Sequence, residues 1–138
     1  SEVADHPRDF PEPPPFDVVV RAQRRDDLEG GLEAMASALS YALTERRGDE
    51  VVIELTLAAF VGEHALNDAE LRSLLGHELV HVYQIARGSE ASTGPDLWRR
   101  EIEAHEWELV HMDLGVRSWY RAEALFNLDM YRRMLDDE

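Results

Sequence analysis

Three residues near the middle of the 138-residue chain have the types and spacing for metal chemistry: His77, Glu78 and His81. On a helix, residues four apart share a face one turn apart, so the two imidazoles can hold one ion between them. Glu78 follows the first histidine directly, and its carboxylate can reach a water beside that ion and act as general base. Two histidines with a carboxylate suit Zn2+, which lowers the pKa of water and polarises a carbonyl. A random arrangement of this composition would contain the pattern with a probability of about 0.03, so chance is a poor explanation. The chain has no cysteine, which excludes disulfides and leaves His, Asp and Glu as ligands.

A catalytic zinc site needs a third protein ligand. A metzincin site would place glycine three residues and histidine six residues after His81, where Gln84 and Arg87 stand. The remaining source is the acidic run 99–108. At 100° per residue, Trp98, Ile102, His105, Leu109 and Met112 form an apolar stripe on this helix. Glu101 borders that stripe, whereas Glu103 falls about 200° from Glu101. Glu101 is therefore the expected metal ligand, and Ala104 one turn on leaves room for the motif helix to approach. Peptide hydrolysis also needs a donor for the tetrahedral oxyanion. Tyr83, His111, Arg117 and Tyr120 are available after the motif; His111, on the side of Glu101, Ala104 and Glu108, is the first choice.

The elements that must position these residues follow from periodicity and caps. Residues 1–15 hold five of the six prolines and read as an extended arm, lying along the cleft or loose at the surface. Residues 16–21 are β-rich, a first strand. A backing helix is expected from 26 or 27 to 47, with Leu28, Leu32, Met35, Ala36, Leu39 and Leu43 on one face and Gly48-Asp49 ending it. Residues 51–55 read as a second strand, and 57–61 as a short apolar piece of undefined type. Asn67 and Glu70 have the form of a capping box opening a helix that runs through the motif to about residue 87. After a loop at 88–95, two more helices are expected at 96–113 and 117–135. The order gives a single α+β domain over 16–138 with a small sheet.

The run 51–55, the helix start Leu66, Asn67, Glu70, Leu71, and His77-Glu78-Leu79-Val80-His81-Val82 together resemble the core of gluzincin metallopeptidases. The similarity is greatest to the HtpX-like and CAAX-prenyl-endopeptidase families and spans about residues 50–112. It implies a zincin-like fold, with an active-site helix, a backing helix and two C-terminal helices beside the sheet. It also implies hydrolysis of peptide bonds with a zinc-activated water, and Glu101 as the first residue of the second family motif. Glu101 and Ala104 match that motif; His105 stands where the family has aspartate. That aspartate orients a zinc-binding histidine through its second ring nitrogen. Here the task passes to Glu108, to Asp113 or to a backbone carbonyl, and His105 is either a core residue or a neighbour of the metal.

Charge narrows the partners. The net charge is −15, and all 14 basic residues are arginine. A field of this sign repels nucleic acid and anionic lipid, leaving a peptide or protein substrate as the expected partner. No apolar stretch is long enough to cross a bilayer and no signal-peptide pattern opens the chain, so a cytoplasmic, soluble protein is expected. The alternative function is a non-proteolytic zinc-binding domain with a regulatory, binding or other enzymatic role.

Overall fold

The computed structural model describes residues 16–23, 41–89 and 93–137. It is an α+β arrangement: three strands, β1 (Asp17–Ala22), β2 (Ala42–Arg47) and β3 (Glu50–Leu55), then helices α1 (Asp68–Ala86), α2 (Gly94–Val110) and α3 (Ser118–Asp136). The β-branched run Val51, Val52, Ile53 makes β3 the central strand, parallel to β1 and antiparallel to β2. The inner face of the sheet, Ala42, Val51, Ile53 and Leu55, packs on Leu74, Val82 and Ile85 of α1.

One expected element is corrected. Residues 42–47 are a strand and not the end of a helix, paired from Ala42↔Leu55 to Arg47↔Glu50. Gly48-Asp49 is the two-residue turn of a hairpin, with Gly48 at φ 62°. Leu43, placed on the buried face of the expected helix, is 53% exposed. At Leu43 the helical spacing was overridden by pairing with the largely buried neighbour strand, a tertiary effect that local periodicity does not carry. The rest of the expected backing helix and the proline arm lie outside the described residues. The short piece after β3 is a 3-10 turn, Leu57–Ala59.

α1 begins as its sequence predicts. The Asn67 side chain accepts from the Glu70 backbone at 2.8 Å, and Glu70 accepts from the Asn67 backbone at 2.9 Å. The helix is buried on two sides of different character. Its sheet side is apolar, whereas Glu70, Ser73, His77, His81 and Gln84, spaced by three and four, turn a buried polar stripe toward α2 and α3. Where α2 crosses, the Trp107 indole packs against Gly76, and a Cβ at that position would clash with it. Ala104, with no exposed surface, permits the same close approach from the other helix. The buried residues of α2 are Ala104, His105 and Glu108. Its apolar stripe is only partly covered, and the polar flank of that stripe faces inward. α3 follows a turn at 111–117 and packs along α2.

Candidate metal centre

His77, Glu78 and His81 are all buried and bring one ligand atom each within 4.8 Å of one another. They could hold a metal ion. Their surroundings decide how. His77 Nδ1 donates to Glu108 Oε1 at 3.1 Å. His81 Nδ1 donates to Gln84 Oε1 at 2.7 Å. The orientation of the Gln84 amide follows from its other bonds: its nitrogen donates to Arg100 O at 3.0 Å and Glu103 Oε1 at 2.7 Å. With both protons assigned to Nδ1, both Nε2 lone pairs point inward.

They point at Glu101. Its Oε1 lies 3.3 Å from His77 Nε2 and its Oε2 3.0 Å from His81 Nε2. Lone pairs facing carboxylate oxygens at this range require a positive charge between them, a proton or a metal. Two imidazole nitrogens and a carboxylate are a donor set suited to zinc, and these three side chains could hold such an ion. Burial works to lower the His77 pKa, but the Glu101 and Glu108 carboxylates outweigh it and raise it well above the usual imidazole range. Glu101 is correspondingly held far below the usual carboxylate range by the two imidazoles, against the effect of burial.

Glu78 stands apart from this set. Its Oε1 accepts from the Thr44 hydroxyl of β2 at 2.7 Å, and its Oε2 lies 4.0 Å from His77 Nε2. One oxygen is thus fixed by the sheet and the other faces the centre. Behind His77, Glu108 is 3% exposed and also accepts from Ser73 at 2.8 Å and Tyr120 at 2.5 Å. Burial works to raise its pKa, yet the neighbouring His105 and His77 rings and the Tyr120 hydroxyl hold it at about 2.

The structure therefore brings His77, Glu78, His81 and Glu101 together, and places Glu108 on the second ring nitrogen of His77. Asp113, the other acid weighed for that position, pairs with Arg72 at 3.1 Å. His105 is buried between the rings of His77 and Tyr131, at centroid distances of 4.4 and 6.1 Å. Its Nδ1 lies 3.7 Å from Glu108, too far for a hydrogen bond, and has no partner among the described residues. His111 is not brought to the centre. It stacks on Trp107, with its Nδ1 2.8 Å from the Trp107 carbonyl, and lines a different hollow. Of the other donors considered, Tyr120 is committed to Glu108 and Arg117 to Glu70.

The centre opens into a cleft of about 620 Å³, bounded by β2, α1, α2 and the inner face of α3. That size falls within the range of pockets that take small molecules. Sequence reasoning missed Ser73 and Gln84, although their three- and four-residue spacing from His77 and His81 would have exposed them. It also missed Thr44 and Tyr131, which reach the cleft only through tertiary packing. Burial and the Glu101 charge raise the pKa of Tyr131. No helix among the described residues is long and apolar enough to cross a membrane. A scan against protein-family models and searches of curated proteins and of solved structures found no match.

Proposed function

We propose that the protein is a zinc-dependent metallopeptidase of the gluzincin type, with His77, His81 and Glu101 as ligands and Glu78 as general base. The observation that carries this reading is the Glu101 carboxylate set between two inward imidazole nitrogens, each imidazole held from behind through Nδ1. Glu101 is preferred to Glu78 as third ligand because it meets both nitrogens, whereas Glu78 is turned aside by Thr44.

A zinc ion held by His77, His81 and Glu101 would polarise the scissile carbonyl and lower the pKa of water. The chain's own residues do the rest. Glu78 accepts a proton from the attacking water on Oε2 while Thr44 fixes Oε1. The water oxygen bonds to the carbonyl carbon; Glu78 then returns the proton to the amide nitrogen as the C–N bond breaks. Glu108 and Gln84 keep the two imidazoles in the tautomer that leaves Nε2 free to bind the ion.

The test combines metal analysis with cleavage of a peptide library. One zinc per chain is expected, lost in His77→Ala. Glu78→Gln should keep the zinc and lose cleavage by at least about 100-fold. A wild-type protein that binds zinc and cleaves no peptide would sink the peptidase reading while leaving the metal site standing.

A further inference from the structure

One charge on the cleft wall is not used by the centre. Of the acids that line the cleft, Glu78, Glu101 and Glu108 are held at the centre or behind it. Glu123 of α3 is not. It lines the cleft from an exposed position, and among the described residues it makes no hydrogen bond or ion pair. The neighbouring cations are directed elsewhere. Arg100, which also lines the cleft, donates to Gln84 Oε1 at 3.2 Å. Arg117 is bonded to Glu70 and the Ala65 carbonyl, with its guanidinium 5.2 Å from the centre of the Trp119 ring.

The place of Glu123 follows from helix geometry. It lies three residues after Tyr120, whose hydroxyl reaches Glu108 behind His77, so it stands one turn farther along the cleft-lining face of α3. Tyr41 lines the same cleft and leads into β2, three residues before the Thr44 that fixes Glu78. Burial raises the Tyr41 pKa and the Glu123 charge raises it further, which puts the carboxylate within electrostatic reach of the phenol. The Tyr41 hydroxyl donates to the His64 carbonyl at 3.1 Å, so it does not satisfy Glu123. Leu43, 53% exposed, adds aliphatic surface to the cleft from β2. A carboxylate without a partner, beside an aromatic ring and an aliphatic side chain, is a receptor for an organic cation.

Resting on the metallopeptidase reading, we propose that Glu123 and the Tyr41 ring form a subsite for a basic side chain, and that the substrates are peptides with arginine or lysine beside the scissile bond. The carboxylate pairs with the guanidinium or ammonium group, the ring takes the face of the cation, and Leu43 covers the methylene stem. The net charge of −15 draws such a peptide from solution. Since the carboxylate is open to water, the selectivity expected is about 10-fold.

Two readouts test the subsite. In cleavage by the zinc-loaded full chain, a peptide that is cut is varied one position at a time around the cut bond, as arginine, methionine or glutamate. At one position arginine should exceed methionine in kcat/KM by about 10-fold, through KM, and added salt should narrow the gap. Glu123→Gln should bring arginine down to the level of methionine, and Glu123→Arg should favour glutamate. No preference at any position, a preference that survives Glu123→Gln, or one lost equally in Asp129→Asn, an exposed acid of α3 away from the cleft lining, would overturn the subsite and leave the peptidase reading standing. In calorimetry, the zinc-loaded Glu78→Gln form is given end-blocked alanine hexapeptides carrying a single arginine or methionine. Tighter binding of the arginine peptide, lost when Glu123→Gln is added, supports the subsite even where the wild type cleaves nothing and the peptidase reading falls. Equal binding of the two peptides, or binding of neither, overturns the subsite.

Discussion

Glu70 and Glu108 are two buried carboxylates that do a similar mechanical job with different partners. Glu70 has no exposed surface and Glu108 3%. Each ties another helix to the first turn of α3, Glu70 through Arg117 and Glu108 through Tyr120. Both have their pKa held at about 2 although burial pushes it up. The difference lies in the countercharge. Glu70 accepts three bonds from Arg117, at 2.8, 2.9 and 2.6 Å, and an arginine is always charged. Glu108 faces only imidazoles and hydroxyls, and its charge is balanced when His77 carries a proton or a metal. One tie is therefore permanent and the other conditional on the centre.

Withdrawing the metal should separate them most. At a metal concentration 1,000 times the dissociation constant, binding contributes about 4 kcal/mol to stability, and a chelator should remove it. Hydrogen exchange should then rise around residues 77–81 and 101–108 while the Asn67–Glu70–Arg117 corner keeps its protection. Equal loss at both places would mean that the anchors are not independent.

Glu108→Ala comes next. It leaves the Ser73 and Tyr120 hydroxyls and His77 Nδ1 without an acceptor, a cost of about 3 kcal/mol in stability, and should weaken metal binding by roughly 10–100-fold. Glu70→Ala should cost about 2–3 kcal/mol through the lost cap and ion pair, with metal affinity within about two-fold of wild type. Denaturant unfolding and chelator competition measure the two quantities. Comparable metal loss in Glu70→Ala would erase the distinction.

A smaller effect distinguishes them by acid. For Glu70, burial raises the pKa, but Arg117 and the Asn67 and Arg117 backbone donors prevail and bring it from 4.5 to about 2. The unfolded chain therefore binds a proton first as pH falls. The stabilisation is complete above about pH 4.5 and is lost as pH falls from there toward about 2. In Arg117→Ala that part of the slope should flatten; an unchanged slope would show that the guanidinium is not what holds the carboxylate.

Which of these features a reader of the sequence can find depends on whether they are local. The Asn67–Glu70 cap, the motif helix and the choice of Glu101 over Glu103 all follow from spacing along one helix, and geometry within a helix is fixed by its own hydrogen bonds. Arg117 as partner of Glu70 lies 47 residues away, and nothing local marks it. β2 was hidden for the same reason: its identity comes from Val51 and Ile53 across the hairpin, and with it the role of Thr44 was lost. The polar stripe of α1 was legible in principle, since Ser73 and Gln84 share the period of the histidines. His111 misled because its angle around α2 was right for the inner face, but the helix ends at Val110 and the ring turns back onto Trp107.

Gln84 sharpens the comparison from a third position. It does for His81 what Glu108 does for His77, at a shorter distance of 2.7 Å, but it brings no charge. A neutral acceptor fixes the tautomer without making the imidazole a stronger base, whereas a carboxylate does both. Gln84 is 1% exposed, and its amide is also bonded to the Arg100 carbonyl and to Glu103. Gln84→Met, close in volume, should therefore cost about 1–2 kcal/mol in stability from the unpaired groups it leaves. Its effect on metal affinity should be less than about 10-fold, below that of Glu108→Ala, because only orientation is lost. If Gln84→Met weakens the metal as much as Glu108→Ala, charge behind the imidazole is irrelevant, and Glu108 is conditional on the centre only through its hydrogen bond.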